Sequence, residues 1–253
     1  MQSSRMTLRL ILISASIVGQ GSLLIFLLFL YRGTLTLFQM ELTQGKALVW
    51  DGLLSVIFFV QHSGMVRRGF RNWLSNFIPP LYHGALYTIV SGLTLTALIM
   101  FWQGSAITLY ELHGPSRWFV RGFSFIMFAG CFWTIFSLQA FDTFGLAPIR
   151  AELSGKRIRS QEFVACGPYV WVRHPLYLLV ILMLWSCPDL TADRLLFNVL
   201  WTVWICVGAA LEEADLLADF GEKYSDYQSK VPMWIPWKRR PGRDLSPKIS
   251  SRL

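Results

Sequence analysis

The chain has 253 residues, of which 54% belong to the hydrophobic set AVILMFWYC and only 15% are charged. A soluble domain carries about 25% charged residues. This composition, with a mean hydropathy of +0.46, therefore excludes a soluble globular enzyme, a disordered chain and a disulfide-stapled secreted module. The four cysteines have no CxxC spacing and indicate neither a zinc site nor a disulfide framework. The composition predicts an integral membrane protein.

Apolar windows of about 20 residues, the length that crosses about 30 Å of hydrocarbon, predict the membrane spans. Four clear windows cover residues 8–31, 48–65, 82–102 and 119–141. Two shorter runs, 175–187 and 195–211, are separated by a short segment that contains Pro188 and are interpreted as a tight helical hairpin. The sequence therefore predicts an all-α transmembrane bundle of five to six spans.

The loops carry an asymmetric distribution of Lys and Arg, the feature that orients a membrane protein. With the N-terminus placed inside, 18 of these residues fall in the inner segments and 5 in the outer ones. An even number of spans then leaves both termini in the cytoplasm, in a protein of the plasma (inner) membrane. Juxtamembrane basic residues meet anionic headgroups, each worth about 1 kcal/mol, so the net charge of +8 requires no nucleic-acid partner.

Two segments predicted at the cytoplasmic face concentrate polar and aromatic side chains. The first, GPYVWVRHPLY at 167–177, directly precedes the fifth apolar run. The second begins with EEADL at 212–216, directly after the sixth run, and continues through FGEKY to VP and IP at 231–236. If the two runs form a hairpin, these segments lie side by side and bring an arginine, a histidine and tyrosines next to two carboxylates. Such a set suits a zwitterionic ligand with an aromatic part.

The ordered motifs GPYxxVRHPxY, EExxL, FGxxY and VPxxIP resemble those of the isoprenylcysteine carboxyl methyltransferase superfamily of membrane methyltransferases. Markers of its branch of methanethiol S-methyltransferases and NnrU-like proteins are QHSxMxR at 61–67, DTFGL at 142–146 and KVPM at 230–233. The resemblance covers about residues 51–236. It implies an N-terminal transmembrane bundle with a cytosolic loop at 1–165, a methyltransferase core at 166–237 and a basic tail at 238–253.

Known members of this superfamily bind S-adenosylmethionine in a cytosol-facing cavity roofed by the C-terminal segment, and the methyl acceptor arrives from the bilayer. The resemblance implies that one glutamate of the EE pair meets the amino group of the cofactor. It implies a lid formed by Tyr224, Tyr227 and Lys230. The residues implied to line the cofactor pocket are Tyr169, His174, Pro175, Tyr177, Glu212 and Glu213.

A departure from the superfamily pattern indicates the acceptor. Where carboxyl-methylating members place paired basic residues before the VP motif, this chain has Gln228-Ser229-Lys230, which favours a small or lipid-soluble thiol. Methyl transfer from a sulfonium depends on positioning and on exclusion of water, and a thiol attacks as its thiolate, whose acid has a pKa of about 8.5. A nearby base or cation therefore helps, whereas no metal site is predicted. The catalytic candidates are His62, Arg67 and Arg173, with His174 as an alternative base.

Other interpretations stay open at this point. The same cofactor could serve carboxyl methylation of an isoprenylcysteine or methylation of a lipid amine. Outside enzymes, the alternative is a non-catalytic NnrU-like protein linked to nitrogen-oxide metabolism, or a small transporter, although the sequence lacks the repeat symmetry typical of transporters. Several of these residues also have purely structural interpretations. Residues 61–63 could form interhelical hydrogen bonds, Arg173 with His174 could be a snorkelling pair, and Glu212 with Glu213 could be a solvated helix end. Tyr224, Tyr227 and Asp51 could lie at the membrane interface, and Asp142 could cap a helix.

Overall fold

The structure is a computed structural model that describes residues 2–35, 37–137, 142, 144–155 and 165–236. Within these residues the chain forms nine α-helices and one two-stranded sheet. The helices are α1 (Gln2–Arg32), α2 (Gln44–Val66), α3 (Arg68–Leu74), α4 (His83–Phe101), α5 (Gly114–Ser137), α6 (Ala147–Ser154), α7 (Pro175–Trp185), α8 (Ala192–Phe220) and α9 (Glu222–Lys230), and the strands are β1 (Thr108–Glu111) and β2 (Asp189–Thr191). The predicted basic tail, the loop residues 156–164 and Thr143 of the DTFGL marker lie outside the described residues.

Five helices are long and apolar enough to cross a membrane. By length and composition, the spans are Arg5–Arg32, Gln44–Val66, Pro80–Phe101, Gly114–Ser137 and Ala192–Phe220. Helix α7 is also apolar but has 11 residues, which at 1.5 Å per residue measure about 16 Å, roughly half of the hydrocarbon thickness. The predicted all-α, multi-pass membrane fold is confirmed, with five long helices and one short apolar helix.

The last long helix extends beyond the apolar window that predicted it. That window ends at Leu211, whereas α8 continues to Phe220. Hydropathy falls at Glu212, but alanine, leucine and glutamate are strong helix formers, so the helix continues after its apolar stretch has ended. Glu212 and Glu213 therefore lie inside α8, and the alternative of a solvated helix end is wrong for both.

Two segments that were interpreted as loops form a short β-ribbon. Strand β1 pairs antiparallel with β2, and Tyr110 lies opposite Leu190. Residues 187–191, interpreted from the sequence as the connection within a tight helical hairpin, therefore include a strand. Strands of four and three residues are too short to show an alternating pattern, and their partners are distant in the chain, so sequence periodicity could not predict them.

By its contacts the chain separates into two compact units. Unit 1 comprises Met1–Leu112, Asp142–Arg159 and Asp189–Trp201, and unit 2 comprises His113–Phe141, Ser160–Pro188 and Thr202–Leu253. The long helix α8 contributes its start to unit 1 and its remainder to unit 2. The predicted division of the chain near residues 165 and 237 stays a prediction.

Unit 1 is built on close packing of α1 against α4. A Cβ atom at Gly92 of α4 would lie 2.8 Å from the side chain of Val18 on α1, and small residues at such positions let membrane helices approach closely. Helix α6 joins this unit, and the carboxylate of Asp142 accepts the N–H of Ala147 at its start. Asp142 thus satisfies a backbone donor of the first turn of α6, although the N-cap position itself is occupied by Leu146.

Unit 2 is built on α5, α7 and the C-terminal segment. Gly130 of α5 leaves room for the side chain of Leu179 on α7, because a Cβ there would come within 3.1 Å of it. In α9, Tyr224 and Tyr227 pack with Val231 in a small buried cluster. This unit contains both sequence segments that were predicted to form the cofactor pocket.

Candidate active site

The centre of unit 2 is an ion pair between Arg173 and Glu213. The Nε of Arg173 donates to Oε1 of Glu213 at 2.6 Å, and its Nη2 donates to Oε2 at 3.0 Å. Both side chains are largely buried, with exposed fractions of 12% and 14%. Paired N–H···O bonds of this kind are among the strongest in proteins. The predicted juxtaposition of the RHP and EE motifs is confirmed, and Arg173 is not a snorkelling residue.

The same guanidinium also holds the C-terminal segment. The Nη1 of Arg173 donates to the carbonyls of Gln228 and Val231 at 3.1 and 2.7 Å. The backbone N–H groups of Arg173 and His174 donate to the carbonyls of Pro232 and Met233, at 2.9 and 3.3 Å. The RHP and VPM motifs are therefore joined by main-chain and side-chain hydrogen bonds.

His174 lies between the two glutamates and two aromatic rings. Its Nε2 is 3.1 Å from Oε1 of Glu213, and its Nδ1 is 4.0 Å from Oε2 of Glu212. The ring of Tyr177 stacks on the imidazole at 5.5 Å with an interplanar angle of 4°, and Trp234 lies at 5.7 Å. Pro175 begins α7 directly after His174, where its fixed φ suits the first helical turn.

Two contributors to this cluster were missed by sequence reasoning. Trp234 contacts His174, and the Gln228 side chain donates to Oε2 of Glu213 at 2.9 Å. Trp234 lies between the two prolines of the VPxxIP motif, at positions that the motif leaves open. Gln228 was considered only as the replacement of a basic residue. Its contact with Glu213 depends on tertiary folding, and no local pattern signals it.

The tyrosines of α9 are part of the protein interior. Tyr224 and Tyr227 are 1% and 4% exposed, and the hydroxyl of Tyr227 donates to the carbonyl of Tyr169 at 2.6 Å. Their interpretation as membrane-interface residues is therefore wrong. Lys230 is different, because its Nζ binds the Asp226 carboxylate at 2.6 Å with both side chains substantially exposed. The predicted lid function of this segment stays a prediction.

Burial raises the pKa of Tyr169, Tyr224 and Tyr227, and nearby glutamate charge adds to each rise. In the unfolded chain these phenols ionise near a pH of about 10, whereas in the folded protein they stay neutral to higher pH. The unfolded state thus binds fewer protons in that range, and stability falls as pH rises above about 10. We expect Tyr224→Phe to show a shallower alkaline loss of stability than the wild type in a pH series of thermal denaturation. Identical slopes would contradict this assignment.

In unit 1, His62 contacts aromatic side chains of its own helix and of α4. The hydroxyl of Tyr87 is 3.0 Å from Nε2 of His62, and the ring of Phe58 stacks on the imidazole at 5.1 Å. Tyr87 was not recognised from the sequence. Gln61, the residue directly before His62, donates to Ser91 at 3.1 Å and accepts from Thr94 at 2.7 Å. The interhelical hydrogen bonding proposed for 61–63 is thus confirmed at Gln61.

The predicted catalytic residues fall in both units. His62 and Arg67 belong to unit 1, and Arg173 belongs to unit 2. Arg67 directly follows α2, and its backbone N–H donates to the carbonyl of Gly64 at 3.1 Å. Their roles in catalysis stay predictions. Asp51, predicted to be interfacial, is fully buried inside unit 1. Its carboxylate accepts the N–H of Gln103 at 2.8 Å, which offsets part of the cost of burying it.

Comparison with known proteins finds relatives over most of the chain. The chain is 34% identical over 202 residues to methanethiol S-methyltransferase 1 of Bradyrhizobium diazoefficiens, which covers 79% of this chain and 70% of the relative. It is 33% identical over 197 residues to the methanethiol S-methyltransferase of Mycobacterium tuberculosis, and this match covers 78% of this chain and 81% of the relative. The chain belongs to the isoprenylcysteine carboxyl methyltransferase superfamily, in its methanethiol S-methyltransferase branch. It is also 26% identical over 185 residues to nurim of Rattus norvegicus, and this match covers 67% of this chain and 68% of the relative.

Membership in this superfamily confirms the resemblance that the motifs indicated. Together with the five long apolar helices, it makes the chain a multi-pass membrane protein of a methyltransferase family. No family model and no solved structure matches the chain.

Proposed function

We propose that this protein transfers a methyl group from S-adenosylmethionine to a small thiol, of which methanethiol is the model, and produces a thioether. The observation that carries this proposal is the identity of about one third with relatives named methanethiol S-methyltransferase, over more than three quarters of the chain. The preferred localisation, in the inner membrane with both termini cytoplasmic, is part of the proposal because the cofactor is a cytosolic solute.

The residues of unit 2 suit a zwitterionic cofactor with an aromatic base. Glu212 has a 45% exposed carboxylate near His174, and a carboxylate in this position can accept hydrogen bonds from a ligand ammonium group. The rings of Tyr169, Tyr177 and Trp234 offer faces for an adenine, and Tyr224, Tyr227 and Lys230 belong to the lid. When bound, the cofactor supplies an electrophilic methyl group. In this proposal Arg173 acts by positioning Glu213 and the C-terminal segment.

The acceptor side of the proposal concerns the predicted catalytic residues His62 and Arg67. A thiol must lose its proton before or during attack, since the thiolate is the nucleophile. We assign this proton to His62, with Tyr87 orienting the imidazole, and we assign Arg67 to stabilising negative charge. In the balanced reaction one carbon–sulfur bond forms on the acceptor, one carbon–sulfur bond of the sulfonium breaks, and one proton is released.

Two contacts support a thiol over a carboxylate acceptor. Carboxyl-methylating members of the superfamily place paired basic residues before the VP motif, whereas this chain has Gln228, Ser229 and a single cation, Lys230, whose Nζ is bound to the Asp226 carboxylate. The amide of Gln228 is bound to Glu213, and the Ser229 hydroxyl donates to the carbonyl of Asp226 at 2.7 Å. Neither side chain offers a cation to a carboxylate substrate.

Binding of S-adenosylhomocysteine to detergent-purified protein tests the cofactor assignment. We expect calorimetry to give micromolar affinity for the wild type and a loss of about tenfold or more for Glu212→Gln, because a charge-assisted hydrogen bond is worth about 1.5–3 kcal/mol. His174→Ala should weaken binding further, since it removes the contacts to both glutamates and to the aromatic rings.

Asp226→Asn is the matched control for Glu212→Gln, because it neutralises a 57% exposed carboxylate of the same unit that pairs only with Lys230 in the described structure. Its affinity should equal that of the wild type. No binding by folded wild-type protein would sink the enzyme proposal and favour a non-catalytic NnrU-like protein. If binding is intact, labelled methyl transfer to methanethiol, to a prenylcysteine and to a lipid amine separates the three acceptors.

A further inference from the structure

Within the described part of the chain, the buried face of α2 carries two polar atoms that lack a hydrogen-bond partner. Asp51 and Ser55 are both 0% exposed and lie one helical turn apart, so their side chains share a face. One oxygen of Asp51, Oδ1, accepts the N–H of Gln103. The other oxygen, Oδ2, and the Ser55 hydroxyl have no hydrogen-bond partner among the described residues.

A third such atom comes from α8 in the same unit. Trp201 is 8% exposed, and its Nε1 likewise finds no partner in the described part of the chain. Its indole stacks on Phe58 at 5.3 Å with an interplanar angle of 13° and meets Phe59 edge-on at 5.3 Å. These rings belong to the turn that follows Ser55, and α2 side chains lean toward its N-terminus. The indole therefore packs on the turn of α2 that directly follows the turn of Ser55.

These three atoms have complementary hydrogen-bonding chemistry. Asp51 Oδ2 accepts, the Trp201 N–H donates, and the Ser55 hydroxyl can do both. Buried polar groups are costly without partners and are commonly satisfied by internal water with about three hydrogen bonds. A bound cation fits less well, because the indole N–H would point its positive end at it.

We propose that unit 1 binds ordered internal water at this position, which we call the α2 water site and define by Asp51, Ser55 and Trp201. Asp51 lies seven residues, about 10 Å of helix rise, before Phe58, so one water accepts from the Trp201 N–H, another donates to Asp51 Oδ2, and the Ser55 hydroxyl binds both. The first water fixes the indole that supports Phe58, and Phe58 in turn stacks on His62. The site does not depend on the proposed methyl transfer, since it involves neither cofactor nor acceptor.

Removing the Ser55 hydroxyl distinguishes a hydrated from a dry site by the sign of the change in Tm. In a hydrated site Ser55→Ala breaks a hydrogen bond to water and lowers Tm by a few degrees. In a dry site the same substitution removes an unpaired buried hydroxyl and leaves Tm unchanged or higher. Ser22→Ala is the matched control, because Ser22 is also a buried serine of a long helix but already donates to the Gly19 carbonyl at 2.9 Å.

Radiolytic footprinting reads the water directly, because hydroxyl radicals generated from bound water oxidise adjacent side chains. We expect Trp201 to be oxidised in the wild type and at least twofold less in Ser55→Ala, with the exposed Trp185 as internal dose reference in both. A lower Tm for Ser55→Ala than for Ser22→Ala, with reduced Trp201 oxidation, supports the α2 water site. An unchanged or raised Tm, or equal Trp201 oxidation in wild type and variant, overturns it.

Discussion

Replacing Glu213 by glutamine is expected to lower the free energy of unfolding by about 3 kcal/mol and to abolish binding of S-adenosylhomocysteine. The glutamate neutralises Arg173 through two hydrogen bonds and also binds His174 and Gln228. A glutamine leaves the guanidinium largely buried without its counter-ion, and breaking a buried pair from one side costs about 3–5 kcal/mol. Denaturation in mixed detergent micelles measures the first effect, and calorimetry measures the second.

The control for this variant breaks the exposed ion pair of the same unit. Lys230→Gln removes the contact with Asp226, where the side chains are 43% and 57% exposed, and exposed pairs contribute about 0–1 kcal/mol. We expect stability close to that of the wild type. If Glu213→Gln and Lys230→Gln had equal stability, the Arg173–Glu213 pair would not be the interaction that holds the C-terminal segment.

Gly84→Ala is expected to destabilise unit 1 by about 3 kcal/mol, near the upper end of the usual range for overpacking. A methyl group at Gly84 in α4 would overlap the backbone carbonyl of Gly145. Gly145 has a φ of +61°, a conformation that favours glycine. The hydroxyl of Thr88 in α4 donates to the adjacent carbonyl of Phe144 at 2.6 Å, so moving this loop away from the clash would break that contact. The yield of folded protein and its Tm in detergent measure the effect.

Gly52→Ala serves as the comparison for Gly84→Ala. Gly52 is a helical glycine of α2, and a Cβ there would meet nothing within 4 Å. Alanine is favoured over glycine within a helix by up to about 1 kcal/mol, so we expect this variant to be as stable as the wild type or slightly more so. Equal destabilisation by both substitutions would show that the close approach of Gly84 and Gly145 is not needed.

Hydropathy predicted the membrane helices well, because a segment that crosses hydrocarbon must satisfy its own backbone hydrogen bonds and therefore forms a helix. It failed at α8, whose last residues are polar but still helical. It also failed at β1 and β2, because their pairing joins short segments that are distant in the chain. Apolar length indicates where a chain can enter a bilayer, but it does not report where a helix ends.

The sequence predicted the candidate site only in part, again because contacts between distant segments leave no local pattern. The order of the RHP, EE and VP motifs, together with a helical hairpin, was enough to predict that Arg173 and Glu213 lie close together. The partners of these residues were not predictable. Gln228 and Trp234 occupy positions that the motifs leave open, and Tyr87 faces His62 from another helix.

The sequence by itself determined the class of the protein, its apolar spans and its superfamily, because these depend on composition and on short motifs in a fixed order. Only the tertiary structure decided which charges are paired and which polar groups are buried. Asp51 illustrates the difference, since it was predicted to be interfacial and is fully buried against Gln103. A side chain's neighbours come from several segments at once, and burial and pairing are properties of that packing, which no single stretch of sequence contains.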